Sequence, residues 1–247
     1  MKKKIYIQIL GVIACLAVVA MHVNGCFWQF GYDRYWITAN IIECICYFAV
    51  PIFFMISGAT LLNYRKRYTT AVFFKKRFGK TLVPFLIWSV ISAIWYFYTL
   101  LGYWIDNYEL PKKWRCVIYA AALGGFLLML VGTQILSLKN GTVDTTFKEY
   151  RNVPCILYST GIFLFFKNIK NEKALGCLAK LTAPFSSLTF GIYLVHFYLV
   201  QMVAIYQIFP ITSIKYRIFG TIAIFLISAV AVRILQMIPV IRKAIPS

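Results

Sequence analysis

Ionisable side chains inside apolar stretches are expensive to bury, so each is a candidate for function. Three occur in this chain. His22 closes the run Ala14-Cys-Leu-Ala-Val-Val-Ala-Met-His22, His196 closes Phe190-Gly-Ile-Tyr-Leu-Val-His196, and Glu43 lies seven residues beyond Trp36. An imidazole titrates near neutral pH, so it can accept a hydroxyl proton and later release it. Tyr193 precedes His196 by three residues, which puts both on one helix face, where they could share a proton. Plainer roles compete with each. A lone intramembrane histidine also serves as a hydrogen-bonding link to a neighbouring helix. His22 fits an interfacial ring bonded to a loop, and Glu43 fits a solvated or paired carboxylate at headgroup depth.

Two further stretches carry candidate residues. Val50-Pro-Ile-Phe-Phe-Met-Ile-Ser-Gly58 combines Pro51 with small, close-packing Ser57 and Gly58, as in a kinked span. Residues 73–88 form a basic amphipathic approach to a span and include Lys75, Lys76, Arg77 and Lys80. Such a cluster anchors lipid phosphates or holds the phosphates of a cytoplasmic substrate. The sequence contains no glycine-rich phosphate loop, HExxH, GxSxG or paired-aspartate motif.

The elements that must position these residues are set by composition. Of 247 residues 61% are hydrophobic and 13% charged, and mean hydropathy is +0.75, which excludes a soluble domain and predicts helices in lipid. The net charge of +19 does not indicate nucleic acid, because the 26 Lys and Arg fall between apolar stretches rather than on one basic face. Seven cysteines, without a CxxC pair or a histidine at ligand spacing, are expected as small core residues, with no metal site. Lys2, Lys3 and Lys4 with the apolar run after them resemble a signal peptide, but no small-residue cleavage site follows.

A span needs about 20 apolar residues. Candidates are 5–23, 37–62, 82–105, 117–138, 153–166, 188–209 and 218–232, so the expected fold is an all-α transmembrane bundle of about seven spans in a single domain, 1–247. Trp28, Trp36, Trp104 and Trp114 fall at span ends, where interfacial anchors belong. Simple alternation puts 15 basic residues inside and 10 outside. A single inversion of polarity between Leu101 and Lys112 makes this 19 against 6, a better fit to the positive-inside rule. Seven plain spans cannot produce that inversion; an odd number of spans missing around 102–111, or a re-entrant stretch there, can.

Four of these stretches, in this order, resemble the membrane-bound acyltransferase-3 family: the run ending at His22, residues 50–62, residues 73–88 and the run ending at His196. Residues 151–167 also look like one of its spans. The resemblance covers 5–57, 73–98 and 112–240, and it implies an internal deletion near 102–111, since family members usually have ten spans. It further implies a multi-pass protein of a bacterial cell membrane that transfers an acyl group, most simply acetyl, from cytoplasmic acyl-CoA to a hydroxyl of a surface or lipid-linked glycan. No bound cofactor is implied; acyl-CoA is a co-substrate, and the partners are the glycan and membrane lipids, not nucleic acid. His22 stands at the position of the family's general base. Glu43, Ser57, Tyr193 and His196 are candidate support, and Lys76, Arg77 and Lys80 are candidate donor-phosphate ligands. On a helix Gly11, Cys15, Val18 and His22 share a face, and small Gly11 and Cys15 leave room for another helix or a thin acyl-donor arm. Two departures are visible: Gly11 and Tyr47 stand where family members commonly carry arginine. These departures leave a second reading open, a catalytically inactive member that binds a glycolipid or a partner.

Overall fold

The computed structural model describes residues 4–62 and 93–238, and every regular element among them is helical. In order these are α1 (Ile5–Val23), a 3-10 turn (Gly25–Trp28), α2 (Arg34–Cys46), α3 (Ala49–Leu61), α4 (Ala93–Asn107), α5 (Lys112–Asn140), α6 (Val153–Lys167), α7 (Glu172–Thr182), α8 (Thr189–Ile205), a π turn (Tyr216–Gly220) and α9 (Thr221–Leu235). Four helical stretches are long and apolar enough to cross a bilayer: Ile5–Val23, Arg34–Leu61, Lys112–Asn140 and Tyr216–Leu235. Val153–Lys167 and Thr189–Ile205 are shorter apolar helices. Seven full spans are therefore not what the described residues contain, and the candidate 82–105 lies partly outside them. The first expected span matches α1 residue for residue. The second is divided at Tyr47 and Phe48, two residues after α2 ends and before Pro51. Proline lacks an N–H to bond the preceding turn, so a break just ahead of it costs no hydrogen bond.

Lipid offers no hydrogen bonds, so polar groups in the spans must be answered within the bundle. The hydroxyls of Ser57, Thr60, Thr99, Thr160, Thr182 and Thr221 each donate to the carbonyl four residues earlier in their own helix. Helices approach closely where one partner is glycine. A Cβ at Gly58 would overlap the backbone of Thr99, one at Gly102 would overlap that of Met55, and one at Gly125 would fall 2.6 Å from the Pro154 carbonyl oxygen. These contacts join α3 to α4 and α5 to α6, the small-residue packing of helices that have no hydrophobic drive to associate in lipid.

Contacts at the helix ends fix the topology. At one end Lys4 (2.5 Å) and Tyr6 donate to the buried carboxylate of Asp106, Lys167 donates to the carbonyls of Ile105 and Tyr108, and Arg115 donates to Asn168 at 2.5 Å. Gln8 meets Ser186, and Arg233 donates to the Pro184 carbonyl at the same end. At the other end Arg217 bonds Asn24, the Tyr35 carbonyl and Thr38, and Gly141 lies beside the Tyr32 hydroxyl. Lys112, Lys113, Arg115, Lys167, Lys170, Lys173, Lys180 and Arg233 thus gather at the Lys4 end, while Arg34, Lys139, Lys148, Arg151, Lys215 and Arg217 lie at the opposite one. This is the distribution of the inverted topology, not of simple alternation. It arises because α4 already arrives at the Lys4 end through Asp106.

Two expectations need correction. Trp36 is no interfacial anchor: it is fully buried, stacked on Phe27 with its indole N–H donated to the Phe27 carbonyl at 2.9 Å. Trp28, Trp104 and Trp114 are exposed, as anchors should be. Cys116 and Cys177 are exposed rather than in the core, since no other helix among the described residues covers them, whereas Cys15, Cys26, Cys44 and Cys155 are buried. The positive-inside rule assigns the Lys4 end to the cytoplasm. A Lys170→Cys protein is accordingly expected to resist an impermeant thiol reagent in intact cells and an Arg34→Cys protein to react; labelling of position 170 from outside would reverse the assignment.

Candidate functional site

His22 lies in the last turn of α1 and His196 in the second turn of α8. The helices run side by side, Gln8 near Ser186 and Cys15 Sγ bonded to the Thr189 carbonyl at 3.4 Å. The imidazole rings consequently meet, with centroids 5.0 Å apart and planes tilted by 55°. Phe197 flanks His22 edge-on at 5.7 Å. His196 is buried; its Nδ1 is 3.0 Å from the Ile192 carbonyl, and its Nε2 has no partner. A ring with Nδ1–H held by a carbonyl carries its lone pair on Nε2, the form that accepts a proton. His22 is exposed and makes no hydrogen bond among the described residues, so its ring nitrogens are open to a substrate.

Tyr193 joins the cluster through its ring, 5.7 Å from His196 and 6.4 Å from Phe53, but its hydroxyl does not bond the imidazole. The expected shared proton between the two is replaced by the His196–Ile192 bond, because a helical side chain reaches the carbonyl one turn back more readily than a neighbour on its own face. Ser57 is not part of the cluster: its hydroxyl is taken by the Phe53 carbonyl at 2.9 Å. Lys76, Arg77 and Lys80 lie outside the described residues. The face Gly11–Cys15 is filled by helices, Ile56 of α3 approaching Gly11 and Thr189 of α8 approaching Cys15.

Glu43 is buried at 4% exposure rather than solvated. Its Oε2 accepts from Asn24 Nδ2 at 3.4 Å, and Asn24 Nδ2 also donates to the Ala39 carbonyl at 2.9 Å. Asn24 Oδ1 accepts from Arg217 Nη1 at 3.3 Å. Arg217 is itself buried and bonds Thr38 Oγ1 at 2.7 Å, the Tyr35 carbonyl at 3.3 Å and the Thr212 carbonyl at 3.1 Å. Lys148, from the connection between α5 and α6, interacts with Glu43 through its charge but makes no ion pair or hydrogen bond with it. Its ammonium is buried without a hydrogen-bond partner, 3.3 Å from the centre of the Phe27 ring and 5.6 Å from that of Tyr47. The cation thus rests on aromatic faces, a contact that is stronger when desolvated. Burial pushes the Lys148 ammonium down to about 8, and the Glu43 charge opposes that shift.

Sequence reading missed Asn24, Lys148 and Arg217. Lys148 and Arg217 stand in short polar connections, where a basic residue reads as solvated, and Asn24 reads as an ordinary helix terminator. The connection 141–152 folds back along α5, with Phe147 against Gly132 and Pro154 against Gly125, and this carries Lys148 inward. No local pattern announces that.

A family profile described as "Acyltransferase domain" (Acyl_transf_3) matches residues 4–106 and 93–233. The chain belongs to this family. It is a membrane protein of the acyltransferase type, and the family implies an acyl donor and an acceptor. Neither a curated protein nor a solved structure gives a match. The two matched segments share α4 almost entirely, and together they contain both histidines and the buried charges of this acyltransferase-family chain.

Lys148 yields a pH test. Its folded value lies below the ordinary 10.5 of lysine, so folding carries the full cost of the buried charge below about 8 and sheds it as pH rises towards 10.5. A shift of this size corresponds to stability on the order of 3 kcal/mol. The detergent-solubilised protein should gain thermal stability between pH 8 and 10 relative to a Lys148→Met variant, and parallel pH curves for the two would contradict the burial of a charged Lys148.

Proposed function

We propose that the chain is an integral membrane O-acyltransferase that moves an acyl group, most simply acetyl, from cytoplasmic acyl-CoA to a hydroxyl of a surface or lipid-linked glycan. The observation that carries this reading is the imidazole pair of His22 and His196 at the end of α1 opposite Lys4, within a chain of the acyltransferase family. In the reaction His22 takes the acceptor's hydroxyl proton as that oxygen attacks the thioester carbonyl. The tetrahedral intermediate collapses by breaking the carbon–sulfur bond. The proton held on His22 passes to the departing thiolate, leaving an ester on the glycan and free CoA. His196 faces His22 with an unpartnered nitrogen and supports the ring that carries the proton. Basic residues of the opposite end (Lys112, Lys113, Arg115, Lys167, Lys170, Lys173 and Lys180) favour a cytoplasmic, phosphate-bearing donor there, and Lys76, Arg77 and Lys80, outside the described residues, are candidate ligands of its phosphates. The protein would sit in a bacterial cell membrane, and the overlap of the two matched segments at 93–106 supports an internal shortening relative to the family.

The second reading, a catalytically inactive member that binds glycolipid or a partner, draws on Gly11 and Tyr47, where family members commonly carry arginine. Lys148 weakens it: an ammonium from another element stands 5.6 Å from the Tyr47 ring, so a cation is retained beside that position.

A His22→Ala protein is expected to accumulate in the membrane normally and to lose glycan acylation by roughly a hundredfold or more, the usual effect of removing a general base. Normal acylation by this variant would remove His22 from the mechanism. Neutralising Lys76 and Arg77 together should weaken CoA binding to the purified protein without changing its expression; unchanged CoA affinity would reduce that cluster to a lipid anchor.

A further inference from the structure

Four buried polar side chains from four separate elements form a line that ends two residues from His22. Lys148 comes from the connection 141–152, Glu43 from α2, Asn24 from the residue that terminates α1, and Arg217 from the π turn that leads into α9. Asn24 is the residue through which the line meets α1. Its backbone N–H closes the last turn of the helix on the Ala20 carbonyl at 2.9 Å, while its fully buried side chain is gripped from both sides. Glu43 and the Ala39 carbonyl take its amide hydrogens, and Arg217 binds its amide oxygen. The grip orients the amide unambiguously, since a flipped amide would point hydrogens at a guanidinium and oxygen at a carboxylate.

The line is costly for a purely structural device. Two buried cations stand against one carboxylate, Lys148 lacks any hydrogen-bond acceptor, and Arg217 Nε is unbonded. Hydrophobic side chains of the same shape would fill the space of a buried ion pair at equal or lower free energy. What charged groups supply instead is direction, because the Asn24 amide donates to a carboxylate and accepts from a guanidinium and is fixed by both. The beneficiary is the end of α1. Among the described residues His22 has no side-chain hydrogen bond to hold its ring, which meets the rings of His196 and Phe197. Its position relative to those rings therefore depends on where the last turn of α1 is pinned.

We infer that Glu43 and Arg217 are positioning residues for His22: the Glu43 carboxylate and the Arg217 guanidinium fix Asn24, Asn24 fixes the turn that presents the His22 imidazole to His196 and the acceptor, and the buried Lys148 ammonium balances the Glu43 charge without bonding it. The inference rests on the role proposed above for His22, but its test has an arm that does not depend on transfer. The proteins compared are wild type, Glu43→Leu, Lys148→Met and the double variant Glu43→Leu/Lys148→Met. Each single variant leaves a buried charge without the opposite charge that balances it and should melt at lower temperature, whereas the double variant removes both charges and should recover most of the wild-type melting temperature. The expected result is that this thermally restored double variant still transfers acyl groups at least tenfold more slowly in kcat, with KM for acyl-CoA within about twofold of wild type. The same variant is then treated with diethyl pyrocarbonate, with modification followed at each histidine by peptide mass. His22 should react at least about threefold faster than in wild type, because its turn is no longer held, while buried His196 changes little. A double variant with wild-type melting temperature, kcat and His22 reactivity would overturn the inference and leave the pair as packing. If wild type itself shows no transfer, the functional reading falls, and the His22 modification rate alone decides the positioning: acceleration in the double variant upholds it, and an unchanged rate rejects it.

Discussion

A charge buried among helices that face hydrocarbon can be answered only by other parts of the protein, and that constraint organises both ends of this bundle. At the Lys4 end the carboxylate of Asp106 receives Lys4 and Tyr6, tying the start of α1 to the end of α4. At the far end the buried Glu43 accepts from Asn24, and Arg217 reaches Asn24 from the π turn ahead of α9. Between them the spans are apolar helices in which Ser57, Thr99 and Thr160 bond their own backbone. The helices are joined chiefly by close packing at glycines in the middle and by charge at the ends. Neither device needs the hydrophobic effect, which has little to act on between helices already surrounded by lipid.

The same constraint separates what is firm from what is reactive. Asn24, Glu43, Lys148 and Arg217 are buried and held by several elements, so they form a rigid end-plate. His22 projects from that plate with its nitrogens unbonded, beside a second imidazole whose Nδ1 is committed to a carbonyl and whose Nε2 is not. A base is useful when its own proton site is uncommitted and its surroundings do not move, and the two kinds of residue meet that need from adjacent positions on α1.

Topology and charge distribution bear on the donor side. The cations expected on the cytoplasmic face do gather with Lys4, although the helix that brings the chain there, α4, is not a full span in the described residues. A cationic face lies at one end of the bundle and the histidine pair at the other. The thickness between them is that of α1, 19 residues and about 28 Å.

By itself the sequence determined the class of protein, the limits of its most apolar helices and two of the residues that meet in the site. Those features depend on local quantities: hydropathy summed over a window marks a helix in lipid, and an ionisable residue inside such a window is conspicuous. The boundaries of α1 were legible for that reason, as were His22, His196 and Glu43, and the clustering of basic residues on one side was legible from their count. The tertiary structure alone decided that Ser57 is spent on its own helix, that Trp36 is core and that Glu43 has Lys148 for company. It also decided that Lys148 and Arg217, which look like solvated loop cations, are buried. Their neighbours come from elements 105 and 193 residues away in the chain, from Glu43 to Lys148 and from Asn24 to Arg217. No periodicity or motif encodes such a meeting; it follows from the direction in which the connection 141–152 folds back along α5 and from the bonds that Arg217 makes to Asn24, Tyr35 and Thr38.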